Sequence, residues 1–261
     1  MSLVKDYLAH HKRFCDEYGA NTVVLMQVGA FFEVYGLRQK DGSITGSNIE
    51  AFSRTCDLII ASKKACVGQA DVVMAGFRDY MLDKYLKRLQ ENGFTTAVYS
   101  QDTPSKNTTR SLSGIYSPGT YFSAETKTLS NNATCIWLFC AGKNVHIGVA
   151  NVDIFTGRTA AFEFTTTDYH NPTSFDELER YISVYDPAEL IFVHQMDEAR
   201  LDDIITFAGA NERCIHRIDL GSESNRLVKM AKNCEKQTYQ NEILARFGFG
   251  ADGEHQAHLL F

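Results

Sequence analysis

Apolar residues recur along the chain at two spacings, three to four apart and alternating, which divides it into helices and strands. Val4, Leu8, His11, Cys15 and Tyr18 are spaced as one helix face with charged residues between them, and Gly19 and Asn21 stop the helix. Residues 22–35 are rich in β-branched and aromatic side chains and read as a single strand. A loop through Asp41-Gly42 leads to a helix near 48–58, and a short strand at 72–74 leads to a helix near 80–90. In that second helix Leu82, Tyr85, Leu86 and Leu89 share a face, and Asn92-Gly93 ends it. Residues 95–100 form a further strand.

Between 101 and 131 the pattern lapses into polar, turn-rich sequence, with Ser117-Pro118-Gly119-Thr120 as a second break. The domain boundary belongs in this stretch, dividing the chain into 1–120 and 121–261. Beyond it come three strands, 134–140, 145–155 and 158–164, joined by tight turns at 141–144 and 156–157. Ser174-x-x-Glu177 spells a capping box for a helix to about Tyr185, ended before Pro187. A strand at 190–193, a helix at 198–207 and a strand at 214–218 follow. A meander succeeded by alternating helix and strand predicts a mixed sheet flanked by helices, so the class is α/β in two domains.

Composition narrows the picture. The 261 residues are 44% hydrophobic and 22% charged, with only four prolines, as in a globular protein. The most apolar run, 23–32, is broken by Gln27 and Gly29 and falls short of the about 18 residues a membrane helix needs. The opening residues Met1-Ser2-Leu3-Val4-Lys5-Asp6 lack the hydrophobic stretch expected of a secretory signal. Seven cysteines without a CxxC pair suggest reduced, buried thiols in an intracellular protein and give no support to zinc. The net charge of -6 is unevenly divided: residues 1–120 hold 14 Lys+Arg against 12 Asp+Glu, and residues 121–261 hold 12 against 20. A polyanionic partner would meet the first half.

Taken as one strand, residues 24–35 put Val24, Met26, Val28, Ala30, Phe32 and Val34 on an apolar face, with Gln27, Gly29, Phe31, Glu33 and Tyr35 on the other. Nothing in this pattern requires Phe31 or Glu33 to be buried. The alternative is that the odd face packs under a helix, with Phe31 in a second core and Glu33 at its rim.

These residues resemble a known family. Gly29-Ala30-Phe31-Phe32-Glu33-Val34-Tyr35 is similar to the Gly-Asp-Phe-Tyr-Glu-Leu-Phe signature of MutS mismatch-repair proteins. Further landmarks follow in order: Met74-Ala75-Gly76-Phe77, Lys84-Tyr85-Leu86-x-x-Leu89, the strand ending at Gln101, and Ser117-Pro118-Gly119-Thr120. In the second half Cys135-Ile136-Trp137, residues 149–158 and Asp186-Pro187-Ala188-Glu189-Leu190 resemble the family's connector domain. The Phe-Phe-Glu spelling is most similar to giant-virus and mitochondrial members. Ala30 departs from the usual Asp, and Arg78-Asp79 from a Pro-Tyr pair.

The resemblance implies a mixed-sheet mismatch-recognition domain and an RNase H-like connector. It implies that Phe31 enters the minor groove and stacks on a mispaired base, where stacking is weak and opening costs least, while Glu33 hydrogen-bonds that base. Lys63 and Lys64, expected on a loop, and Arg78 are the basic residues assigned to the DNA backbone. Lys84, Lys87, Arg88 and Arg110, the last in the linker, are weaker candidates. Mismatched double-stranded DNA is then the partner, within a homodimeric parent that uses ATP and magnesium. This chain has no G-x-x-x-x-G-K-[ST] loop and carries no catalytic residue, cofactor or metal in this reading. His255-x-x-His258 is the one pair of histidines at a ligand-like spacing, and its Gly-rich surroundings make that accidental. Two alternatives stand beside it: a metal-dependent nuclease built on Asp153, with Asp186 and Glu189 as remote carboxylates, and a protein-docking module without DNA contact. The Leu-Leu-Phe ending at Phe261 suggests a longer parent chain.

Overall fold

The computed structural model describes residues 3–102, 109–121, 130–167, 171, 173–210, 214–222 and 226–246. Two compact units follow one another, Met1–Asn131 and Asn132–Phe261. The tail with His255 and His258 lies outside the described residues, as does His170.

The first unit runs α1 (Leu3–Tyr18), β1 (Thr22–Val28), β2 (Phe31–Arg38), β3 (Ile44–Thr45), α2 (Ile49–Cys56), β4 (Ala61–Val67), β5 (Ala70–Arg78), a 3-10 turn (Asp79–Met81), α3 (Leu82–Glu91), β6 (Thr95–Gln101) and β7 (Arg110–Tyr116). Its sheet has the order β4-β5-β2-β1-β6-β7, with β3 beside β2. Only the β1–β6 pair is parallel. Central strands β1 and β2 are buried on both faces, which explains why Val23, Val24, Leu25 and Met26 are all apolar instead of alternating. On one face α1 brings Tyr7 to Tyr35 and Phe14 to Tyr99; on the other, α2 and α3 bring Phe52 and Tyr85 to Phe77.

The second unit contains β8 (Asn132–Ala141), β9 (Asn144–Asp153), β10 (Thr159–Thr166), α4 (Asp176–Tyr185), β11 (Glu189–His194), α5 (Glu198–Phe207), β12 (Cys214–Asp219), α6 (Arg226–Cys234) and α7 (Gln237–Arg246). The sheet order is β10-β9-β8-β11-β12, an antiparallel meander extended by two parallel strands. This is the mixed sheet expected from the pattern. Ile136, Leu138, Ile147, Leu178, Ile182, Leu190 and Phe192 form its main core.

Several expectations are corrected. Residues 22–35 are not one strand but two, joined at Gly29-Ala30: Val28 faces Phe31 across the turn, and Gly29 has φ +60°. Gly at the first of two turn positions with positive φ, followed by an ordinary residue, is the pattern of a type II′ hairpin. Lys63 and Lys64 sit on strand β4, not on a loop, and Arg110 opens strand β7 rather than lying in a linker. The buried stripe of α1 is Val4, Tyr7, His11 and Phe14, one position away from Leu8 and Cys15, because the larger rings of Tyr7 and Phe14 take the core side. The Ser174 capping box does not form: α4 starts at Asp176 after a turn, and the Ser174 hydroxyl is buried without a partner among the described residues. The thiols are not uniformly buried either, since Cys66 and Cys234 are exposed.

Candidate nucleic-acid interface

The hairpin correction changes which residues share a face. Directly paired residues project to the same side of a sheet, so Met26 with Glu33 and Val28 with Phe31 set the even positions of β1 beside the odd positions of β2. The two-residue turn therefore inverts parity. Across the next pair Phe31 faces Arg78, Glu33 faces Gly76 and Tyr35 faces Met74. One face thus carries Phe31, Arg78, Glu33 and Tyr35 in adjacent rows.

The structure treats Phe31 and its neighbours differently. Phe32 is 3% exposed and packs on Phe77, whereas Phe31 is 41% exposed at the hairpin end of the sheet. The Arg78 guanidinium carbon lies 5.5 Å from the Phe31 ring centroid, within reach of a cation–π contact. Asp79 N donates to Ala30 O at 3.0 Å, tying the end of β5 to the turn, and Tyr80 next to it is 75% exposed. An exposed aromatic ring with a cation over it is an unusual surface for the end of a hairpin to present.

Glu33 is buried. Its carboxylate accepts from the Tyr35 hydroxyl and from Lys63 Nζ at 2.7 Å, and Lys63 also donates to the Tyr35 hydroxyl at 3.0 Å. The Lys63 ammonium stands 4.6 Å from the Tyr35 ring centroid. Burial, and after it the hydrogen bond to Glu33, raises the Tyr35 phenol well above its ordinary value, so Tyr35 stays a donor. The rim reading of the odd face thus fits Glu33, and Tyr35 packs under α1. Phe31 escapes that cover.

Sequence reasoning missed the part played by Tyr35 and misplaced Arg110. Tyr35 was on the list of odd positions beside Glu33, but its hydroxyl bond to the Glu33 carboxylate, completed by Lys63 from β4, has no periodic signal. Arg110 was hidden by the low strand propensity of Ser111, Ser113 and Gly114; its Nε donates to Gln27 O at 2.6 Å, and Gln27 Oε1 accepts from Gln101 N at 2.9 Å, bracing the hairpin base. Lys64 is exposed on β4, Lys84 lies 5.7 Å over the Tyr85 ring, and Arg88 donates to Cys56 O at 3.4 Å. Lys63, Glu33, Phe31 and Arg78 are brought together; the others lie elsewhere on the unit.

In the second unit Asp153 ends β9, where its carboxylate accepts from Phe155 N at 3.0 Å and from the Thr156 hydroxyl at 2.6 Å. Those bonds are the side-chain closure of a turn. Among the described residues Asp153 joins no cluster of three potential metal ligands.

Residues 11–125 match the family model described as MutS domain I. The first unit is therefore a MutS domain I. Across both units, the MutS homologue of Acanthamoeba polyphaga mimivirus is 25% identical over 259 residues, 92% of this chain and 22% of that protein. The DNA mismatch repair proteins MutS of Acaryochloris marina and Microcystis aeruginosa are 26% and 27% identical over 71% and 66% of the chain, and 19% and 18% of their own lengths. The chain is thus similar to MutS proteins beyond its first unit, and it spans about a fifth of the length of these curated relatives.

Proposed function

We propose that the chain is the mismatch-sensing part of a larger MutS-type ATPase and that its first unit recognises mismatched double-stranded DNA through the Phe31 face. The observation that carries this reading is the exposed Phe31 ring, fixed on a rigid hairpin beside a buried carboxylate and two cations. An apolar ring driven into a base step unstacks it at a cost of a few kcal/mol, least where pairing is already faulty. Arg78 neutralises phosphates beside the kink, and Lys64, exposed on β4, those farther along the duplex. Glu33 reaches the edge of the opened base by exchanging its Lys63 contact, and it disfavours duplexes that stay straight because an unkinked backbone would set phosphates against a carboxylate. The second unit serves as the connector, and its meander with two added parallel strands is compatible with an RNase H-like fold. Catalysis is assigned to parts of the parent beyond this chain, with ATP and magnesium as its cofactors and a homodimer inside the cell as its working state.

The test is binding to a duplex with one mismatch or unpaired base against its matched control, using this chain and the gene's full product. Phe31→Ala is expected to remove the preference while leaving matched-duplex binding unchanged, and affinity is expected to fall steeply with salt. A mismatch preference that survives Phe31→Ala sinks the reading. Magnesium-dependent cleavage of DNA that Asp153→Ala abolishes would put the nuclease alternative in its place, and salt-insensitive binding of protein but not DNA the docking one.

A further inference from the structure

β12 is the edge strand of the second unit's sheet, paired in parallel with β11. Glu189 on β11 stands directly opposite Cys214 on β12, and His216 follows two residues later on the same side of its strand. A carboxylate, a thiol and an imidazole from two neighbouring strands are thereby aimed at one point. His216 Nε2 lies 2.5 Å from Glu189 Oε1 and 3.7 Å from Cys214 Sγ, and the three ligand atoms lie within 4.8 Å of one another. Glu189 is buried, while Cys214 and His216 are partly open, which leaves a path for an ion.

We propose that Glu189, Cys214 and His216 bind Zn2+ on the edge of the second unit, with water at the fourth position. Thiolate sulfur, imidazole nitrogen and carboxylate oxygen are the donors that zinc takes, and three protein ligands plus water is its open tetrahedral arrangement. With metal–ligand bonds of about 2.0–2.3 Å, tetrahedral geometry sets ligand atoms roughly 3.3–3.6 Å apart. The sulfur–nitrogen pair already has nearly that spacing. The Glu189 oxygen must draw back from His216 by less than about 1 Å, a movement that rotation of its carboxylate supplies. The ion takes the place of the proton shared by Glu189 and His216 and of the thiol proton, so binding releases protons and weakens as pH falls. Sequence spacing did not reveal the site because Cys214-x-His216 supplies only two of its three ligands; the third comes from the neighbouring strand.

Cobalt titration of the intact chain tests the site. One Co2+ per chain is expected, with a thiolate-to-cobalt charge-transfer absorption that added Zn2+ abolishes. Cys214→Ser removes that absorption. His216→Ala and Glu189→Gln weaken Zn2+ binding, measured against a colorimetric chelator, by about 100-fold or more, since even partners outside the ligand set are worth 10–100-fold. Cys15→Ser, which alters the His11–Cys15 contact of the first unit, and His255→Ala change neither. Glu189→Gln keeps a hydrogen-bonding side chain, so it reports on the site even if Cys214→Ser fails to fold by circular dichroism. Absence of the absorption in the wild-type chain overturns the proposal. So does an absorption that survives Cys214→Ser or disappears with Cys15→Ser, or tight binding unaffected by Glu189→Gln.

Discussion

Lys63 on β4 reaches across β5 to hold Glu33 on β2, with 2.7 Å between Nζ and Oε2. The reach is possible because Gly76, on the strand between them and directly opposite Glu33, presents no side chain. Adjacent strands are about 4.8 Å apart, so a lysine stem and a glutamate stem together span the gap. The pair is mostly buried, with side chains 33% and 11% exposed. Replacing Lys63 by Met leaves the Glu33 carboxylate with Tyr35 as its remaining partner in this cluster. We expect Lys63→Met to lower the unfolding free energy by about 1–2 kcal/mol, between the values of surface and fully buried pairs. Glu33→Gln added to Lys63→Met should restore part of it. Denaturant unfolding of the single and double variants measures the coupling, and strictly additive effects would show that the contact contributes nothing.

Phe31 and Phe32 are neighbours of one residue type with opposite environments, which makes them a clean comparison. Phe32, 3% exposed against Phe77, should cost about 3–5 kcal/mol when cut to Ala. Phe31→Ala should cost less than about 1 kcal/mol, because its ring is exposed and its one named partner is the Arg78 guanidinium. Thermal or denaturant unfolding of the two variants decides it. A large loss for Phe31→Ala would mean that the ring supports the fold, and its role as a DNA wedge would lose its structural basis.

Gly76 gives a prediction from space alone. A Cβ built there falls 2.5 Å from Phe32 O and 3.3 Å from Glu33 Cα, both backbone atoms that cannot swing aside. Gly76→Ala should destabilise the first unit by about 2 kcal/mol or more, through displacement of β5 from β2. Gly148→Ala is the control: its Cβ would meet nothing closer than Trp137 Cβ at 4.0 Å, and reduced freedom of the unfolded chain should leave it neutral or about 0.5 kcal/mol more stable. Equal effects at the two glycines would refute the account.

The fold's outline was legible in periodicity, and its errors have physical causes. The helices at 49–56, 82–91 and 198–207 announced themselves because each keeps one apolar face. The hairpin did not, since β1 and β2 are buried on both faces and their continuous apolar run conceals a turn of Gly followed by Ala. β4 was invisible because it is a strand with mostly exposed residues, Ala61-Ser62-Lys63-Lys64, bulged between Ser62 and Cys66. Phe31, Glu33, Lys63, Lys64 and Arg78 could be named from motif resemblance, yet the face that joins four of them depends on the pairing of β2 with β5 and of β5 with β4, which no motif states. Long-range pairs such as Lys63 with Glu33 or Glu189 with His216 leave no periodic trace.

His11 carries the remaining prediction, on acid stability. Its ring is buried on the inner face of α1, where Nε2 accepts from Asn48 N at 3.3 Å and Cys15 Sγ lies 3.6 Å from Nδ1. An imidazole that accepts from a backbone N–H must be neutral at that nitrogen. Burial lowers its pKa below the ordinary 6.5, outweighing a hydrogen bond to the Thr22 backbone that raises it. The unfolded chain therefore takes up the proton first as pH drops. Stability from this group is complete above about pH 6.5 and declines as pH falls from there toward the folded-state pKa, by at most 1.4 kcal/mol per pH unit. We expect the first unit to lose stability between pH 7 and pH 5, with a shallower slope in His11→Gln, and the His11 ring resonances to titrate below the ordinary histidine value. If denaturant unfolding shows the same slope in both proteins, protonation of His11 is not what loosens α1 in acid.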